Sequence, residues 1–327
     1  MDDPETDTSS LAERYRRFAS EEARGSSPLY EALSIHVAEN PTILAFLARF
    51  PAPLQQPNLF LAAVRHVAGT PSSPEDLDNI VRLRGESIAR TMRTRTTQTN
   101  EPGRCAVLLP VLSAIAGPIA LLEVGASAGL CLLPDKYGYD YGRTQISPPH
   151  DLRLIAPLLR CDASANTPLQ QSHPSIIWRA GLDINPLSVD SSEDIAWLET
   201  LVWPEQEARL ARLRSAVSVA RAVDTGVVHG DLRKDTVDLA SRAPADARLV
   251  IFHTAVLAYV SSQDDRDAFA RSCRDAAAIW ICNEFPSTYP EIVRKVREPH
   301  RKGMFLLSVD GQPVAWTAPH GQKIEWL

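Results

Sequence analysis

The run Glu123-Val-Gly125-Ala-Ser127-Ala-Gly129 concentrates residue types that suit a ligand loop. Gly125 permits a tight turn, and Gly129 lets a following helix pack close to the preceding strand. The start of such a helix presents free N–H groups to a ligand. Two further acids, Asp183 and Asp231, each close an apolar run. A carboxylate accepts two O–H donors at once, though either acid taken singly also suits a helix N-cap. Four residues could move protons: His253, Glu284, Glu101 and His320. A base is needed where a hydroxyl or ammonium must lose its proton. His253 ranks first because it ends a core run, and a satisfied structural histidine is the competing reading. Glu284 before Pro286 also suits a helix start, and His320 in Pro-His-Gly also suits a plain turn. Arg104, in Asn100-Glu101-Pro102-Gly103-Arg104, could pair with a ligand carboxylate. An ordinary cap before Pro102 is the alternative there. No zinc-type cysteine spacing and no other metal motif is present, so no metal is expected.

The elements that must hold these groups change character near residue 118. Before it the chain reads as helices, with Leu11, Tyr15 and Phe18 at helical spacing. Pro28, Pro41, Pro57 and Pro74 each open a further helical pattern. After it come short apolar runs: IALLEVG (119–125), SIIWRAGLD (175–183), VVHGD (227–231), ARLVIFH (247–253) and AAIWICNEF (277–285). Helical patterns separate the later runs, which predicts a mostly parallel α/β sheet. MFLLSVDGQPVAWTAP (304–319) predicts an antiparallel hairpin about Asp310-Gly311. The expected organisation is a helical domain over 1–103 and a Rossmann-like α/β domain over 104–327. A long irregular segment at about 136–175 is inserted, and a loop of that length suggests a lid, a binding element or a small subdomain.

Composition bounds the class. The 327 residues are 44% hydrophobic and 23% charged, as in a globular protein with a sizeable core. The net charge of −6 gives no basic footprint for general nucleic-acid or anionic-membrane binding. Five cysteines without C-x-x-C spacing fit reduced thiols better than a disulfide framework. The polar, acidic start MDDPETDTSS lacks signal-peptide regions, so a cytoplasmic location is expected. The uncharged stretch from Cys105 to Leu122 has the length of a membrane span. Pro110 and Gly117-Pro118 interrupt it, which predicts a buried helix, a turn and a buried strand instead.

The loop at 123–129 does not match G-x-G-x-x-G, which argues against NAD. It resembles the E/D-x-G-x-x-x-G first motif of class I S-adenosylmethionine-dependent methyltransferases, with Ser127 where many members have a middle Gly. The resemblance implies that Glu123, Gly125, Ser127 and Gly129 lie along the cofactor, that Asp183 holds the ribose hydroxyls, and that Asp231 meets the adenine amino group. It further implies a substrate-facing motif near His253-Thr254. At closer range the chain resembles an uncharacterised bacterial family, a domain of unknown function. The carrying segments are Asn100 to Arg104, Leu122 to Leu130, Asp140 to Gly142, and Pro319 to Gly321 with Trp326-Leu327. That family often has Asn where this chain has Cys131.

The resulting expectation is an S-adenosylmethionine-dependent methyltransferase acting on a small-molecule acceptor, with the N-terminal helices covering the cofactor cleft. The alternative is a non-catalytic sensor or scaffold that binds S-adenosylmethionine or a nucleotide on the same fold. A nucleotide-using enzyme on that scaffold is a third possibility. The sequence does not set the oligomeric state.

Overall fold

A computed structural model describes residues 8–98 and 100–327. Residues 1–7, which carry most of the start read for a signal peptide, lie outside the described residues, as does Thr99. The helices before the first strand are α1 (Thr8–Phe18), α2 (Pro28–Glu39), α3 (Pro41–Ala48), α4 (Pro57–Ala68), α5 (Pro74–Thr94) and α6 (Cys105–Leu112). Then come β1 (Ile119–Val124), β2 (Gly138–Asp140), β3 (Gln145–Ile146), β4 (Leu158–Arg160), β5 (Asp162–Ala163) and β6 (Ile176–Asp183). After these follow α7 (Ser192–Leu201), α8 (Glu207–Ala222), β7 (Val227–His229), α9 (Thr236–Ala240), β8 (Arg248–Thr254) and α10 (Gln263–Asp275). The chain ends with β9 (Ile279–Glu284), α11 (Pro290–Val293), β10 (Phe305–Val309), β11 (Gln312–Thr317) and β12 (Lys323–Trp326). The fold is mixed α/β, with a helical N-terminal region and a large, mostly parallel sheet.

The chain divides into two compact units. One comprises residues 8–98 with Ser192–Leu210, and the other Asn100–Ser191 with Ala211–Leu327. In the first, the helix starts follow directly from sequence. Ser27, Asn40 and Ser73 accept hydrogen bonds from first-turn amides of α2, α3 and α5, and each precedes a proline at the first helical position. Tyr15, Phe60, Leu33 and Ile43 are buried in this unit. Trp203 packs beside Phe18 and Tyr30, and Trp197 donates to the Thr96 carbonyl. Residues 192–210 thus join the helices although they fall between two strands in sequence.

The second unit holds a nine-stranded sheet in the order β5-β12-β11-β10-β9-β8-β1-β6-β7. Neighbours from β7 through β9 are parallel. β10, β11 and β12 then continue antiparallel. All six residues of β1 are buried, as a central parallel strand requires. The expected hairpin turns at Asp310-Gly311. The 136–175 segment holds its own three-stranded sheet, β3-β2-β4, and lends β5 to the edge of the large one. One expectation fails: Gly129 leads into a single 3-10 turn, Leu130–Leu132, and not a long helix. The next residues are held instead by tyrosines. Tyr137 donates to the Leu130 carbonyl and Tyr139 to the Pro134 carbonyl.

The stretch read as helix, turn and strand folds that way. Pro110 lies inside α6. A proline there leaves the carbonyl four residues back without its helical donor. Tyr141 Oη donates to that carbonyl, Ala106 O, at 2.6 Å.

Candidate functional site

The chain leaves β1 toward β6 and β7 on one side and later returns to β8 and β9 on the other. Such a reversal opens a crevice at the carboxyl ends of the strands flanking it. The Gly125–Gly129 bend follows β1 at this point. Glu123 pairs across the sheet with Gly181 of β6 and Phe252 of β8.

Asp183, at the end of β6, turns its carboxylate onto the bend. Oδ2 accepts from Ser127 N at 2.7 Å and Oδ1 from Asn185 N at 2.8 Å. Ser127 stands at φ 50°, so the bend needs such fixing. Asn100 fixes it from the other side: its Oδ1 accepts from Ala128 N, and its Nδ2 donates to Ser127 Oγ. The sequence reading used Asn100 as part of the Asn100–Arg104 family segment and as a possible cap, with no contact to the bend.

Glu123 is buried, and its Oε2 has no partner. Burial pushes its carboxyl well above the usual range; nearby Cys131 and Asp183 add to this, and Arg104 opposes it. Gly125 is needed for packing. A Cβ there would lie 2.2 Å from Val256 Cγ2, and its φ is 74°. Gly129, at φ 72°, abuts Thr225 and Val227.

Arg104 is nearly buried and bonded within the protein. Nε donates to Pro319 O at 2.9 Å, and Nη1 to Thr254 O and Oγ1 at 3.0 and 3.1 Å. The Asn100–Arg104 and Pro319–Gly321 segments interlock. A Cβ on Gly321 would sit 1.9 Å from Gly103 O, and one on Gly103 2.4 Å from His320 O. Glu101 lies at this junction, fully buried, with Oε1 accepting from Gly103 N and Arg212 Nε. Its Oε2 is 3.8 Å from Nδ1 of the partly exposed His320. Arg212 carried no sequence signal, because its role depends on chain 111 residues away.

His253 and Glu284 are brought together, but away from solvent. His253 Nδ1 lies 2.7 Å from Glu284 Oε1, and Trp280 Nε1 donates to His253 Nε2 at 3.0 Å. An indole N–H can only donate, so Nε2 accepts and Nδ1 carries the proton toward Glu284. Both ring nitrogens are engaged and the side chain is 0% exposed, so His253 is a satisfied core histidine.

Asp231 is held by its near neighbour Arg233. Both its oxygens accept from the Arg233 guanidinium, and Oδ1 also accepts from Arg233 N. Tyr137, Tyr139 and Tyr141 are buried, with Tyr139 and Tyr141 stacked on each other. In the first unit, Arg95 pairs with Glu193 and Asp194, and Arg93 lies over Phe50.

A family model described as "Uncharacterized protein conserved in bacteria (DUF2332)" matches residues 12–326. The chain belongs to the DUF2332 family. The match spans both units, so the interlocked 103–321 junction and the glycine bend both lie within the DUF2332 region. No curated protein and no solved structure matches the chain. Among the described residues, no helix is long and apolar enough to cross a membrane.

Proposed function

We propose that this DUF2332 protein binds an adenosyl ligand at the carboxyl ends of β1 and β6 and acts as an S-adenosylmethionine-dependent methyltransferase on a small molecule. The observation that carries the reading is the convergence of the Asp183 carboxylate on the Gly125–Gly129 bend at the reversal of strand order. A carboxylate offers about four lone-pair sites. Asp183 uses two on backbone amides, so two remain for a pair of vicinal hydroxyls. Ile184 next to it is 71% exposed and offers an apolar surface for a flat ring. The orphan Glu123 oxygen suits a ligand donor, because a buried acceptor without one is costly.

The residue roles then differ from those first drawn. Asp231 is occupied by Arg233 and Arg104 by Thr254 and Pro319, so neither has a ligand role in this reading. A sulfonium donor supplies a good leaving group, which leaves the protein mainly the task of alignment. Where an acceptor must lose a proton, His320 is the base, since it is partly exposed and lies beside the Glu101 carboxylate. A non-catalytic binder is the second reading. It is favoured by the enclosure of His253 and by Val256 lying directly against Gly125.

Isothermal titration with S-adenosylhomocysteine tests the ligand. Binding is expected for the wild type, and Asp183→Asn, which keeps an oxygen for the Ser127 amide, should weaken it about tenfold. No binding by the wild type, or equal binding by the variant, contradicts the assignment. Product formation from labelled S-adenosylmethionine in metabolite extracts separates enzyme from sensor.

A further inference from the structure

The polypeptide leaving β8 crosses directly over the glycine bend. Ala255 there has φ 54°, a conformation that side chains other than Asn and Asp rarely adopt. Val256 follows and fills the space above Gly125. Ala255 N still donates to Asn283 O of β9 at 3.1 Å, and the two amides after it need other acceptors. Val256 N and Leu257 N both donate to one atom, Glu284 Oε1, at 2.9 and 3.1 Å. The same oxygen takes the proton of His253 Nδ1. Glu284 is 2% exposed, so these bonds are shielded from water. Behind them, Trp280 fixes the histidine ring through Nε2, and Phe269 meets it in a T-shaped contact with ring centroids 5.6 Å apart.

We infer that Glu284 is a positioning residue. Its Oε1 holds the 255–257 turn so that Val256 sits on Gly125, and it thereby sets the wall of the crevice beside the glycine bend. His253 and Trp280 hold that carboxylate in place. The geometry stands alone, and only its bearing on an adenosyl ligand rests on the proposed function. Glutamine at 284 retains an acceptor oxygen, whereas alanine removes it.

Amide hydrogen exchange of the full chain tests the latch. In Glu284→Ala, Val256 and Leu257 should exchange at least about tenfold faster while β8 and β9 keep their protection. Glu284→Gln should stay close to wild type. Unchanged protection at 256 and 257 in the alanine variant overturns the inference, as does equal loss in the glutamine variant. Loss spread over β8 and β9 overturns it too, because it marks general support of the sheet. If Glu284→Ala does not fold, Glu284→Asp carries the test: it keeps the charge but is one methylene too short, so exchange at the two amides should rise.

S-adenosylhomocysteine titration of the same proteins reads the consequence. The alanine variant should bind about tenfold more weakly than wild type and the glutamine variant equally well. Equal affinity in the alanine variant overturns the effect on the crevice. A wild type that does not bind refutes the adenosyl reading alone, and the exchange result still decides the latch.

Discussion

The Asp183 carboxylate satisfies two backbone amides, and in the proposed function its remaining lone pairs take the ligand hydroxyls. Asp183→Ala should therefore cost stability as well as affinity, about 1–3 kcal/mol from the Ser127 amide it strands, read by denaturant melts. Gly125→Ala should cost about 2–4 kcal/mol, from the left-handed φ and the collision with Val256. Val256→Ala in that background should recover part of the loss, with a coupling above about 0.5 kcal/mol in a double-mutant cycle. Additive effects would show that the two residues do not meet. Asp231 is tested by acid. The hydrogen bonds from Arg233 hold its carboxyl down, at about 2 against the ordinary 3.8. A depressed carboxyl contributes stability above its unfolded value and loses it as pH falls toward about 2. Asp231→Asn should thus flatten the stability profile between about pH 4 and 2. The change should stay below about 1 kcal/mol, because the pair is solvent-screened. Residue types singled out Asp183 and the bend, an acid closing an apolar run and a glycine-rich turn, although such an acid also suits a helix N-cap. They could not show that His253 faces Trp280, because that partner lies 27 positions away.

At the scale of elements, the apolar runs placed the strands of the parallel core, and Asp310-Gly311 placed the hairpin. Burial on both faces makes such strands nearly continuous in apolar residues, so they stand out in sequence. The helix expected after Gly129 does not form. Leu130-Cys-Leu-Leu is followed at once by Pro134, and Tyr137 and Tyr139 take the Leu130 and Pro134 carbonyls. Arg179 of β6 takes the Leu132 carbonyl from 47 positions away, a contact that local pattern does not carry. Pro110 shows the opposite case, in which a helix survives a proline because a distant hydroxyl satisfies the released carbonyl. Tyr141→Phe should strand Ala106 O and lower stability by about 1–3 kcal/mol in thermal melts. A loss below about 0.3 kcal/mol would show that water replaces the hydroxyl.

For the whole molecule, composition indicated a globular chain with a large core, and the match over residues 12–326 sets it in one bacterial family. The joining of 192–210 to the N-terminal helices was not legible, because it depends on Trp197 and Trp203 finding partners far back in the chain. All five cysteines are free and buried. Burial raises the thiols of Cys161 and Cys273 to about 12. Native protein at pH 8 should therefore resist alkylation at these two positions, with modification following unfolding. Fast labelling of Cys273 in the native state would contradict its placement in the core.

In the proposed function the glycine bend and Asp183 hold an adenosyl group between them. Crystals grown with S-adenosylhomocysteine test it most directly. Density is expected for the ribose hydroxyls within hydrogen-bonding distance of the Asp183 carboxylate, with the amino-acid end running toward Gly125–Gly129. Clear density elsewhere, or a crevice left empty at saturating ligand, would contradict it.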